Sequence, residues 1–579
     1  MLRLLTLSLF FVIGSRSAIG DDYPRSATLD ALHYRLQLTL TSQSDEVQGE
    51  TEILFQFKAD GVHEIPLDFA GLTADQVLEE ERTAGFTRTE DKLKVALSGA
   101  YRRGDRCRIT IKYHGHPSDG LIIQKNKFGD LVYFADNWPN RAHYWFPAID
   151  HPYDKATAEF IITAPADYDV IANGKLLEKR SLQNGQELTH WLEETPIPTY
   201  CMVIGAAQFD ILNVGNVQRA GADVPVYFYL YPKDRDKGLT GYGRVRQIVQ
   251  FFSELIGPYP YEKLALVQSS TRYGGMENAS SIFLAENAFG ELLNAHEIAH
   301  QWFGDSVTEA DWHHLWLSEG FATYFANLFA ERFEGRDKFL QLMLKDKEDY
   351  LKQYANDPRP VYDPAITDLV KLLNANNYQK GAWVLHMLRG LLGDEKFFAG
   401  IRDYYRTYRE RNALTEDLQQ IMEFNYGQPL GWFFKQWIYE PGYPRLDAVW
   451  RWDEKAKELT LRIEQTQAQT VFRLPLEIEF SSDKNAEREK INLDERSQKF
   501  TFKLAAKPQS VALDPDEWVL KVLQLREANT SSRRNSTDEK NADSFAHFPA
   551  AAVGRSAWSG ANRRAARSER LRRAGNQRI

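Results

Sequence analysis

Glu291-Leu-Leu-Asn-Ala-His-Glu-Ile-Ala-His300, followed by Gln301-Trp-Phe-Gly304, decides how this chain is read. In a helix of about 3.6 residues per turn, His296 and His300 stand one turn apart on one face. Both imidazoles can therefore meet a single metal ion. Glu297 projects beside them, placed to take a proton from metal-activated water rather than to ligate the metal. Residue frequencies alone yield a His-Glu-x-x-His string in about one of fifty such chains, so a third ligand is required before the motif carries weight. It comes after eighteen intervening residues, in Trp312-His-His-Leu-Trp-Leu-Ser-Glu-Gly-Phe-Ala-Thr-Tyr324, where Glu319 opens the next helical pattern. Two histidines and one carboxylate with an open position suit zinc, one ion per chain, whereas calcium or magnesium would call for oxygen ligands alone. His313 and His314 precede Glu319 in what reads as a connecting segment, and they are expected to be structural or solvent-facing.

Outward from this motif the periodicity divides the chain. A helical period begins at 241–255 and dominates from Glu291 to about Tyr439. Before it, Tyr34-Arg-Leu-Gln-Leu-Thr-Leu40, Ile53-Leu-Phe-Gln-Phe57 and Arg108-Ile-Thr-Ile-Lys-Tyr113 alternate polar and apolar residues between turn signals, which predicts an antiparallel β domain. After it, alternation returns at 448–452, 459–463 and 472–480 and ends near Val511 to Leu513, which fits a small β-sandwich. The expected class is multidomain α+β. Residues 21–210 form the β domain, 211–443 the zinc domain and 444–525 the sandwich. Residues 526–579, rich in Ser, Asn, Arg and Ala, form a disordered basic tail.

A chain of 579 residues with 43% hydrophobic side chains can bury several cores. Its net charge of −9 offers no field for a polyanion, so no nucleic-acid partner is expected. Residues 1–20 read as a secretory signal, with Arg3 in the positive region, a mostly apolar run to Gly14, and Ala18-Ile-Gly20 as the cleavage site. Export to a periplasmic or extracellular space follows, without stable membrane insertion once the segment is removed; left uncleaved, it would tether the protein to the membrane. Cys107 and Cys201 can pair once or stay as buried thiols.

Gly274-Gly-Met-Glu-Asn278, His296-Glu-Ile-Ala-His300 and Glu319 together resemble the signature of the aminopeptidase N family of gluzincins, which also holds aminopeptidase B and the leukotriene hydrolases. The resemblance spans about residues 30 to 525. It implies an N-terminal β saddle, a thermolysin-like catalytic domain and a β-sandwich, without the large helical C-terminal domain of many members. It implies peptide substrates with a free N-terminus. Glu277 matches the residue that pairs with the α-ammonium, and Gly274, Gly275 and Met276 match the strand edge along which the substrate backbone lies. Tyr378 matches the donor to the developing oxyanion, and Tyr273 matches a position lining the pocket for the first side chain. A second amine contact is expected near Asp136 to Trp138, with Asn137 the choice. Where many members carry an acid that orients a zinc histidine, this chain has Ala326, so Asp305 or a backbone carbonyl is expected to substitute.

Three other readings fit parts of the pattern. A thermolysin-type endopeptidase would share the zinc motif but lack the amine anchor at Glu277. An epoxide hydrolase of the leukotriene type would carry an aspartate where this chain has Val370. A peptide-binding protein without activity would have lost catalytic groups that are all present here. The sequence assigns no oligomeric state.

Overall fold

A computed structural model describes residues 21–528, apart from 220, 469, 483 and 484. The expected signal segment and nearly all of the basic tail lie outside the described residues.

The alternating stretches at the N-terminal end become strands with one face inward. Leu29–Thr39 buries Tyr34, Leu36 and Leu38 and turns Arg35 and Gln37 outward. It pairs antiparallel with Val47–Phe57 and parallel with Lys155–Pro165, at the centre of an eight-stranded sheet. Two smaller sheets of four and three strands complete this region.

Asp210–Arg219 starts a five-stranded sheet, which continues through Ala222–Leu230, β1 (Leu264–Ser269), β3 (Ser281–Ala285) and the short edge strand β2 (Gly275–Met276). Helices follow. The long helix α2 (Trp316–Glu334) is buried on all sides from 316 to 330, with Thr323 only partly exposed, so it forms the centre of this helical region rather than a surface element. It packs against α1 (Glu291–His300) on one side and α3 (Gly381–Leu392) on the other.

The C-terminal sandwich sets a four-stranded sheet against a three-stranded one. Its last strand, Val522–Glu527, lies beyond the point where alternation faded in the sequence and pairs parallel with Arg445–Asp453. None of its residues is fully buried, which explains the weak pattern. Among the described residues no helical domain follows the sandwich, and no helix is long and apolar enough to cross a membrane. Cys107 and Cys201 are both buried free thiols, which settles the open pairing.

Candidate active site

The first two ligand candidates come from α1 and the third from the first turn of α2. His296 Nε2 and His300 Nε2 lie 3.1 and 3.3 Å from the same Glu319 oxygen, and 3.1 Å from each other. His300 Nδ1 lies 3.1 Å from the Phe303 carbonyl and 2.9 Å from Ser318 Oγ. A carbonyl only accepts, so Nδ1 carries the proton and Nε2 turns a lone pair toward the cluster. Two imidazole nitrogens and a carboxylate oxygen at these separations can share one cation, and the donor set fits zinc.

The Phe303 carbonyl is thus the partner that orients His300, one of the two substitutes expected for the acid missing at Ala326. Asp305 does not reach the cluster. Its carboxylate accepts from Gln301 Nε2 at 2.8 Å and from Cys201 Sγ at 3.3 Å. The tight turn after α1 depends on Gly304, whose φ of 121° suits glycine. A Cβ there would also meet Ser318 Oγ at 2.5 Å.

Glu297 and Glu277 stand beside the cluster. One oxygen of each carboxylate and a ring nitrogen of His300 lie within 4.8 Å of one another. Glu277 follows the edge strand β2, which pairs with β3 at Gly275–Leu284 and Met276–Phe283, while the Gly274 carbonyl accepts from Ala285 N at 3.0 Å. Gln301, quoted in the motif but given no role there, fastens this strand to the zinc helix. Its Nε2 donates to the Glu277 carbonyl and its Oε1 accepts from Ser280 N at 2.8 Å. Burial pushes the Glu277 carboxyl up to about 7, with Glu319 adding to the shift and His300 opposing it. Burial likewise raises Glu297 well above the usual carboxylate range, opposed by His300 and reinforced by Glu277 and Glu319. A bound dication would favour the ionised form of each.

Gly275 lies against Glu297. A Cβ at this position would stand 2.3 Å from Glu297 Oε1 and 2.4 Å from its carboxyl carbon. Gly275→Ala is therefore expected to displace the carboxylate and lower kcat/KM at least about tenfold while bound zinc is retained, because small misplacements of a reacting group are costly. Metal analysis beside steady-state kinetics checks it; wild-type kinetics would mean that the carboxylate has room to move.

Tyr378 enters from a widened helical turn, Asn376–Lys380, that leads into α3. Its hydroxyl donates to Glu319 Oε1 at 2.6 Å and its ring lies parallel to that of His296, centroids 6.0 Å apart. The approach rests on a contact that the sequence reading missed. Gly320 and Gly381 stand back to back, and a Cβ on either would meet the other's Cα at 2.9 Å. The glycine directly after Glu319 was the available signal.

Tyr273 packs edge-on to Trp138 with centroids 6.1 Å apart, and Trp138 packs on Trp312. Asn137 corrects the expectation. It is fully buried, its amide nitrogen donates to the carbonyls of Thr199 and Met202, and its oxygen accepts from Trp145 Nε1. Every polar group of that side chain is already satisfied by the fold, so it is a structural post and not an amine contact. Its neighbour Asp136 is also committed, accepting from Thr271 Oγ1 and Arg272 N, which fixes the loop before Tyr273. His313 and His314 are engaged away from the cluster, with Asp311 and Ile366 and with Thr415 respectively.

Comparison with known proteins identifies the family of the chain. Residues 242–437 match the peptidase family M1 domain and residues 30–201 match the peptidase M1 N-terminal domain, together well over half the chain. The chain belongs to peptidase family M1. It is 28% identical to tricorn protease-interacting factor F2 of Thermoplasma acidophilum over 73% of this chain and 55% of that protein. It is 25% identical to probable aminopeptidase 1 of Sulfurisphaera tokodaii over 87% of this chain and 65% of that one. The M1 chain thus spans about half to two thirds of the length of these curated relatives. Among solved structures, a mutant M1 zinc metallopeptidase from Deinococcus radiodurans bound to a Tyr-Ser-Ala substrate matches with a TM-score of 0.63 and 26% identity. That match covers 73% of this chain and 97% of that one.

Proposed function

We propose that this chain is a zinc-dependent aminopeptidase that hydrolyses the first peptide bond of substrates with a free N-terminus. The observation that carries the reading is the Glu277 carboxylate, 7% exposed and set against Glu297 and His300 at the inner end of an edge strand. His296, His300 and Glu319 would hold one zinc ion. Bound there, zinc polarises the scissile carbonyl and makes water more acidic.

The other steps belong to the chain's own residues. An extended substrate adds to the free edge of β2, where its backbone finds hydrogen-bond partners and Gly274 and Gly275 permit close approach. Glu277 pairs with its α-ammonium and fixes which bond lies over the cluster. Glu297 takes the proton of the attacking water and passes it to the leaving amine. Tyr378 donates its hydroxyl proton in a hydrogen bond to the oxygen of the tetrahedral species; burial and the adjacent Glu319 raise its pKa well above the ordinary value and keep it protonated. Tyr273 lines the space for the first side chain. The Deinococcus peptidase solved with Tyr-Ser-Ala supports a peptide as substrate. The epoxide-hydrolase reading is disfavoured by Val370, an apolar residue 49% exposed where a carboxylate would be needed.

A strong chelator is expected to abolish hydrolysis of aminoacyl chromogenic amides, and one equivalent of zinc per chain to restore it. Metal analysis with activity titration checks both. Full activity in a metal-free preparation would remove the reading.

A further inference from the structure

The residues ahead of the first long strand are held by buried polar groups. Asp21 N donates to Asp311 Oδ2 at 2.8 Å, and Arg25 Nη2 lies 3.0 Å from the same oxygen. Asp311 Oδ1 accepts from the backbone N of His313 at 2.8 Å and lies 3.0 Å from its Nδ1. The Asp21 carboxylate in turn lies 2.8 Å from His151 Nε2 and accepts from Trp312 N at 3.4 Å. Tyr23 stacks on His151 and donates its hydroxyl to Asp68. The side chains of Asp21 and Asp311 keep only 6% and 7% of their exposure.

Asp21, Asp311 and His313 lie close enough together to suggest a cation site. Arg25 argues against a metal, because its Nη2 already bridges the two carboxylates, 3.1 Å from Asp21 and 3.0 Å from Asp311. What the cluster faces instead is a backbone nitrogen. The three residues before it are Ala18-Ile-Gly20, the small-residue pattern of a cleavage site.

We propose that the chain is processed between Gly20 and Asp21, and that Asp311 then holds the new α-ammonium of Asp21 as a buried ion pair. In the cut, catalysed by a signal peptidase, water adds across the Gly20–Asp21 amide. Gly20 leaves with a carboxylate, and the Asp21 nitrogen keeps its place and takes up a proton to become an ammonium. A hydrogen bond charged only on its acceptor side becomes an ion pair between ammonium and carboxylate. The effect is to fasten residues 21–25 across the Trp312–His314 turn that feeds α2 and its ligand Glu319.

The test has two arms. Intact mass of the chain recovered after secretion from a bacterial host is expected to start at Asp21; a start elsewhere, or retention of the leader, overturns the proposal. In the second arm, chains starting at Asp21 and at Ala18 are compared for tryptic cleavage after Arg25. The Asp21 form is expected to be cut at least about threefold more slowly, since its ammonium adds a full positive charge to a bond in which only the Asp311 carboxylate was charged. Asp311→Asn, made in both chains, should bring the two rates together. Equal rates with Asp311 intact, or a difference that persists undiminished in the Asp311→Asn pair, would overturn it.

Discussion

Glu297→Gln is expected to keep zinc and lose about 10²- to 10⁴-fold in kcat, the range that general-base removal typically costs. Glutamine retains the size of the side chain and its contact with Gly275, so the helix and the three ligands should be undisturbed. What it loses is basicity. The amide oxygen can accept a hydrogen bond from water but cannot carry away its proton, and KM should change little because Glu297 is not assigned to ground-state binding. Zinc content by metal analysis and kcat on an aminoacyl amide give the two readouts. Loss of zinc in parallel with activity would show that Glu297 is a ligand, and near-normal turnover would give the base role to another group.

The site was legible where chemistry is written in short spacings. His296 and His300 are one helical turn apart, and Glu319 is in the first turn of the next helix, so α1 and α2 packing together brings the three side chains to one point. The β regions were legible because half-buried strands alternate, as Leu29–Thr39 does. Contacts between segments far apart in sequence were not. Nothing local to Gln301 says that its amide will bridge the Glu277 carbonyl and the Asp305 carboxylate. Asn137 illustrates the opposite error. A polar residue near the expected position looked available, but its three hydrogen bonds go to Thr199, Met202 and Trp145, partners that only the folded chain brings near. The resemblance supplied Tyr378 as a role but not as a geometry. The back-to-back glycines that carry it to Glu319 became visible only in the packed helices.

The remaining large effect separates an aminopeptidase from a peptidase that merely uses zinc. Glu277→Ala should leave the metal bound, because Glu277 is not one of the three ligands and its strand is held through backbone groups by Gln301 and β3. It should lower kcat/KM for free peptides roughly thirtyfold or more, since losing the partner of a desolvated charge costs about 2 to 5 kcal/mol. The same pairing predicts that N-acetylation of a good substrate protects it from the wild-type enzyme. The acetylated nitrogen is neutral and cannot answer the carboxylate, and the added group has to find room beside the buried Glu277 side chain. With the Glu277→Ala enzyme the two forms of the peptide should become more alike, because the carboxylate that distinguished them is gone. Mass spectrometry of products from paired free and acetylated peptides measures both effects. Internal fragments released from the blocked peptide at a similar rate would mean that Glu277 does not set the register and that the site cleaves as an endopeptidase.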